Sequence, residues 1–170
     1  MKNKLSINLE VSLVEIIMSV LIFAIAGVIM LNCFAVARFT QIKANDKVMA
    51  GNIMQSDMEL IRASKSSNEI DEFLLSTYSV SQDNESGHLY INYYDSNWKL
   101  CDADEKEYSI SLEVSNVQVN SGEMKNISIV AEKTKPYPFI NKEENKADTI
   151  YSIESEKFFP IEVGRQINGE

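Results

Sequence analysis

The feature that most constrains this chain is an apolar run at residues 11–37 that contains one fully charged side chain, Glu15. About 20 apolar residues span the hydrocarbon core of a bilayer, so the run is long enough to cross one as a tilted helix. A carboxylate at the centre of such a helix costs about 2.5–3.5 kcal/mol, and less near an end. Glu15 either reaches the headgroups and has no further role or, as we expect, pairs with a cation after assembly.

A cleaved signal peptide is the main alternative for this run. The apolar region of a signal peptide is usually about 7–15 residues long and is followed by a small-residue cleavage site. Here the run is longer and continues as far as Arg38, which favours a retained anchor. A late cut after Ala35 or Ala37 stays open as an alternative.

The residues around the carboxylate carry a family resemblance. Residues 11–17 read Val-Ser-Leu-Val-Glu-Ile-Ile, and a leader of residues 1–10 with two lysines precedes them. This junction resembles that of type IV prepilins and type II secretion pseudopilins. The resemblance implies cleavage by a prepilin peptidase between Glu10 and Val11, followed by N-methylation of Val11. It also implies that Glu15 pairs with the N-terminal ammonium of a neighbouring subunit in a filament.

Such a pair of buried opposite charges would set the register between subunits more than it would stabilise them, because each charge also has to leave water. One position departs from the family's pattern: Glu10 stands where the family has glycine before the scissile bond. The departure favours a minor pilin or pseudopilin over an abundant subunit. It also supports an alternative from another class, a single-pass membrane-anchored binding or adhesion protein that does not polymerise.

Charge and cysteine content limit the partners. The formal net charge is −9, and because the charges of residues 1–37 cancel, all of it falls on residues 38–170. Nucleic-acid binding is not expected, since phosphate recognition needs clustered basic side chains. Cys33 and Cys101 are predicted to be free thiols. The resemblance implies the cytoplasmic membrane as location, with the N-terminus inside, the C-terminal domain outside, and other pilin-like subunits as partners of the helix.

Periodicity predicts the fold class α+β. One helix is expected over residues 11–63, apolar on all sides as far as residue 37 and amphipathic over 38–64. Its apolar stripe is predicted to contain Phe39, Ile42, Met49, Ile53 and Leu60, and to be widened by Met54, Met58 and Ile61. The remainder, 65–170, is predicted to be an antiparallel sheet domain with a loop-rich tail, and the helix is expected to pack against the sheet. The resemblance implies the same arrangement, a pilin-like lollipop whose sheet domain is extracytoplasmic.

Within that domain, alternating apolar residues predict strands at 89–94, 98–100, 108–119 and 127–131. The predicted connection at 64–87 is polar with a short helix at 69–75. Residues 134–170 are predicted to be mostly loop, with a possible strand at 149–153. The segment Lys135-Pro-Tyr-Pro138 is interpreted as a linker.

An enzyme is not expected, and no cofactor or metal is implied. His88 is the only histidine and lacks nearby residues that would make it a general base or a metal ligand, so a surface position is favoured. The acidic residues at 102–107 lack the glycine and the distal glutamate of an EF-hand loop, which favours a solvated hairpin loop. An activity tied to His88 would be needed to support an anchored enzyme.

Overall fold

The computed structural model describes residues 3–84, 87–135, 137 and 147–160, without the side chains of residues 3–12, 84 and 118. The chain divides into two compact units, Met1–Ile42 and Lys43–Glu170. The elements are, in chain order, α1 (Asn3–Ala63), α2 (Ser67–Thr77), β1 (Val80–Asn84), β2 (Gly87–Tyr94), β3 (Tyr108–Val119), β4 (Gly122–Lys133) and β5 (Asp148–Pro160). The α+β class is confirmed.

The first unit contains the apolar part of α1, and this part is long and apolar enough to cross a membrane. The helix begins at Asn3 rather than at the predicted residue 11, so residues 3–10, predicted as a leader, are helical. No proline occurs in these residues, and nothing else in them forces the helix to break.

In the second unit, α1 packs through a stripe of Ala50, Met54, Met58 and Ile61, all nearly inaccessible to solvent. Their spacings of four, four and three place them on one helix face. The predicted stripe is confirmed at Met54, Met58 and Ile61, whereas Met49 and Leu60, also predicted in it, are 37% and 50% exposed. Apolar residues lie on both sides of the buried stripe, so the sequence alone does not show which of them are buried.

The sheet has the order β1-β2-β3-β4-β5, and every neighbouring pair is antiparallel. The predicted antiparallel meander is therefore confirmed. One row of opposed residues crosses four strands through Tyr90, Leu112, Ile129 and Ile153. Tyr90, Leu112 and Ile129 in this row belong to the hydrophobic core, which also contains the helix stripe. Each fully buried aliphatic side chain in this core contributes about 1.5–3 kcal/mol.

The helix α2 is fixed at its start by a local capping arrangement. The Ser66 hydroxyl accepts a hydrogen bond from the Glu69 amide at 3.3 Å, and the Glu69 carboxylate accepts one from the Lys65 amide at 2.6 Å. The Ser66 contact satisfies one amide that the first helical turn leaves without a partner, and the Glu69 contact fixes the residue before the N-cap. The predicted short helix at 69–75 is thus confirmed and is slightly longer than expected.

Two other predictions of local structure were wrong, and a third, the strand at 149–153, is confirmed but was too short. The connection at 64–87 contains the strand β1, which pairs with β2. Residues 98–100 form no strand, and only a single bridge joins Tyr94 to Leu100. The strand predicted at 149–153 runs on to Pro160, so the region after residue 134 is less loop-like than expected. In β1, Ser81, Gln82 and Asp83 are all polar and exposed, and in β5 charged residues occupy exposed positions, so neither sequence has the pattern of a half-buried strand.

Candidate assembly surface and buried polar clusters

The apolar surface of the first unit has no cover among the described residues. The large apolar side chains between residues 13 and 36 have exposed fractions from 50% at Met18 to 81% at Phe23. A contiguous apolar surface of this size is not stable in water and marks a face that meets lipid or other protein. We call residues 13–37 the apolar helix surface.

Glu15 lies on the apolar helix surface and is exposed. Its backbone carbonyl accepts a hydrogen bond from the Ser19 hydroxyl at 2.8 Å, which leaves the carboxylate group uninvolved. Among the described residues, the carboxylate has neither a hydrogen-bond nor an ion-pair partner. The arrangement can therefore offer one anionic group, surrounded by apolar side chains, to a cation from another molecule.

The predicted cleavage junction lies within α1. The backbone of Glu10 and Val11 is helical, and their side chains lie outside the described part of the chain. Val11 is one helical turn before Glu15, so a new N-terminus at Val11 would be close to the carboxylate along the same helix. The peptide bond would have to leave the helix to enter an extended protease cleft.

In the second unit, a buried carboxylate of α1 is the centre of a polar cluster. Asp46 accepts hydrogen bonds from the hydroxyls of Tyr108 at 3.0 Å and Tyr137 at 2.7 Å, and from the Trp98 indole nitrogen at 3.4 Å. The Lys133 ammonium lies 4.0 Å from the same carboxylate. We call these five residues the Asp46 cluster.

The Asp46 cluster brings together segments that are far apart in sequence. Lys133 also donates to Tyr108 at 2.9 Å and to Glu107 at 2.6 Å, so its positive charge meets two carboxylates. Burial raises the pKa of Tyr108, and the nearby negative charge of Asp46 adds to this effect. Burial likewise raises the pKa of Tyr137, with its hydrogen bond to Asp46 as the next cause. Both hydroxyls therefore stay protonated and remain donors.

Trp98 contributes to this cluster from a strained position. Its φ of 59° lies in the left-handed region, which a bulky side chain rarely adopts. Its ring stacks on Tyr108 with centroids 4.2 Å apart and planes 16° apart. This stacking and the indole hydrogen bond to Asp46 offset the backbone strain. The loop after β2 is therefore held to the start of the second unit by one aromatic side chain.

Two more polar contacts attach α1 and α2 to their surroundings. The Tyr78 hydroxyl donates to Asp57 of α1 at 2.8 Å, and burial raises the Tyr78 pKa. Lys125 of β4 is 1% exposed and donates to Asp71 of α2 at 2.8 Å. A buried ammonium with a single carboxylate partner depends strongly on that partner, because an unpaired buried charge is costly.

Asp71→Ala is expected to lower the free energy of unfolding by about 2 kcal/mol, because it leaves the Lys125 ammonium buried without its partner. Chemical denaturation followed by circular dichroism measures the change. Adding Lys125→Met should restore most of the loss, since the double variant has no buried charge. Glu72→Ala is the matched control, as Glu72 is the exposed neighbour in α2 and should change stability by less than about 0.5 kcal/mol. A double variant as unstable as Asp71→Ala would contradict this account.

The other residues considered in the sequence lie at the surface. His88 is exposed on β2, and its Nδ1 lies 2.6 Å from Asp83 of β1. Residues 102–106 are exposed, as predicted for a solvated loop. In the described ranges, no group of three or more acidic, histidine or cysteine side chains could hold a metal ion. Cys33 and Cys101 are both free.

Sequence reasoning missed the Asp46 cluster. One signal was available: Asp46 precedes Ala50 by four residues and so extends the buried helix stripe. The interpretation of residues 135–138 as a linker was wrong at Tyr137, which is 2% exposed and bonded to Asp46. A tyrosine between two prolines gives no indication in sequence of a carboxylate partner 91 residues away.

Comparison of the chain with protein-family models, with curated proteins and with solved structures gave no match. A functional assignment therefore has to come from the residues and the geometry described above.

Proposed function

We propose that this chain is a minor subunit of a membrane-rooted filament of the type IV pilus or type II secretion kind. The observation that carries the proposal is the Glu15 carboxylate, which has no partner among the described residues and lies on an otherwise apolar helix surface. An acid retained at such a place has a function when a cation can be named for it. In the proposed assembly that cation is the N-terminal ammonium of a neighbouring subunit.

The mechanism is assembly and not catalysis. The apolar helix surface first holds the chain in the cytoplasmic membrane with its N-terminus inside. A prepilin peptidase removes residues 1–10, and Val11 becomes the methylated N-terminus. The helix then leaves lipid and packs among like helices, where unpaired charges are penalised and only the matched register brings ammonium and carboxylate together. The sheet-containing unit faces outward.

A second candidate function is a membrane-anchored binding or adhesion protein that does not polymerise. Two observations favour it. Glu10 occupies the position of the family's glycine, and the helix continues through the junction as far back as Asn3. Both features oppose entry of the junction into a peptidase cleft. In this alternative the Glu15 carboxylate lies at the level of the lipid headgroups and does not pair with a cation of another subunit.

Mass spectrometry of the mature N-terminus separates the two candidates. The full chain is co-expressed with a prepilin peptidase, and we expect a terminus at Val11 that carries an added methyl group. Glu10→Gly is the matched positive control, because it restores the glycine of the family's junction. An intact Met1 terminus in the wild type, with efficient cleavage of Glu10→Gly, would contradict the filament proposal and support the static anchor.

A further inference from the structure

The strand β5 is a long edge of the sheet. It has 13 residues, and among the described residues it pairs only with β4. The backbone donors and acceptors on its other side are therefore available for hydrogen bonds. A long edge of this kind is a template for another strand, and proteins usually shorten, cover or charge such edges.

A groove lies beside this edge. It has a volume of about 590 Å³ and is bounded by one face of α1 together with Tyr151 and Ile153 of β5. On the helix side, Val48 is 58% exposed and Gly51 has no side chain, so part of the wall is apolar and indented. Asn52, Gln55 and Glu59 add polar groups to the same wall. A sixth strand added to β5 would place alternate side chains in this groove.

The two faces of the sheet at β5, the face toward the groove and the face away from it, differ in charge. On the groove side, Lys47 lies over the Tyr151 ring with its ammonium 5.4 Å from the centroid, and Arg62 lines the groove farther along. On the opposite side, Glu154 and Glu156 are exposed on β5. An added strand would thus meet apolar groups, two cations and the Glu59 carboxylate on the groove side, and the carboxylates of Glu154 and Glu156 on the opposite side.

These carboxylates select against a second copy of β5. The antiparallel registers centred on Glu154, Ser155 or Glu156 each place a glutamate of one strand opposite a glutamate of the other. Like charges directly opposite each other destabilise a strand pair. The carboxylates therefore disfavour self-pairing in these three registers and favour a strand with basic residues at alternate positions.

We propose that the free edge of β5 binds an extended segment of a partner protein by strand addition. The segment carries lysine or arginine at alternate positions, which face Glu154 and Glu156, and apolar side chains at the intervening positions, which enter the groove beside Val48 and Tyr151. Main-chain hydrogen bonds supply affinity, and the alternation of basic and apolar side chains along the segment supplies specificity. This inference does not depend on whether the chain enters filaments.

The test uses the full chain in a neutral detergent and two synthetic nine-residue peptides. One alternates lysine and valine, and the other has the same composition with the lysines and valines in separate blocks. We expect the alternating peptide to bind at least about tenfold more tightly and to slow amide hydrogen exchange in β5. A double variant, Glu154→Gln with Glu156→Gln, should weaken its binding about tenfold. The matched control, Asp104→Asn with Glu105→Gln, removes the same charge from an exposed loop and should bind normally.

Four results would overturn the proposal. If the two peptides bound equally well, or if the two double variants lost affinity equally, the peptides would be attracted only by the net negative charge of the protein. Protection from exchange outside β5 would place the peptide elsewhere. Binding that requires removal of residues 161–170 would make the chain's own C-terminal segment the occupant of the edge instead of a partner.

Discussion

Asp46→Ala is expected to lower the free energy of unfolding of the second unit by about 4 kcal/mol. Removing one member of a buried ion pair costs about 3–5 kcal/mol, and the hydroxyls of Tyr108 and Tyr137 also lose their acceptor. Lys133 keeps Glu107, which limits the loss. Small domains are stable by about 5–15 kcal/mol, so the change is a large part of the total.

Trp98 is the only tryptophan in the chain, and it belongs to the Asp46 cluster, so its fluorescence reports denaturant unfolding of this region. Tyr137→Phe provides a double-mutant cycle, since it should cost about 1 kcal/mol in the wild type and almost nothing when Asp46 is already alanine. Glu59→Ala, an exposed acid on the same helix, is the control for a change of charge alone. Equal destabilisation by Asp46→Ala and Glu59→Ala would refute the cluster's role.

Glu15→Ala is expected to leave the protein in the membrane and to reduce its co-purification with filaments at least about tenfold. Loss of the carboxylate removes an insertion cost of up to about 2.5–3.5 kcal/mol, so anchoring is not impaired. The neighbouring ammonium would then enter the filament core without a partner, which penalises assembly. Quantitative immunoblotting of membrane and filament fractions, in cells that make the filament, measures both effects.

Ser19→Ala is the matched control for this variant. It lies one helical turn from Glu15 and removes the hydroxyl hydrogen bond to the Glu15 carbonyl, but it keeps the carboxylate. We expect it to enter filaments normally. Normal co-purification of Glu15→Ala would mean that the carboxylate has no role in assembly, and would leave the static anchor as the better account.

The parts of the fold that could be predicted have a strong local period. The apolar run of α1 and the strict alternation of β3 are examples, because burial repeats at fixed spacing in both. The strand β5 was underestimated because only one of its sides is partly covered, and Glu154, Glu156 and Lys157 resemble a charged loop in sequence. Edge strands have this ambiguity in general, since half of their environment is solvent.

The candidate site could be predicted only in part. Glu15 is conspicuous in sequence because a charge within an apolar run is rare. In the Asp46 cluster, Trp98 and Tyr137 lie 52 and 91 positions from Asp46 in the sequence, and no local pattern encodes such pairings. The same limit applies to the groove beside β5, which exists only because a late strand lies next to an early helix.

The Asp46 cluster also has a mechanical consequence. Asp46 is the fourth residue of the second unit, so tension transmitted along α1 from the preceding residues reaches this carboxylate early. Four partners from separate segments hold it, namely Trp98, Tyr108, Lys133 and Tyr137. The force on Asp46 is thereby distributed over the loop after β2, the strands β3 and β4, and the segment after β4. A pull on the helix would have to break these bonds together, in parallel, before the stripe at Ala50 could slide over the sheet.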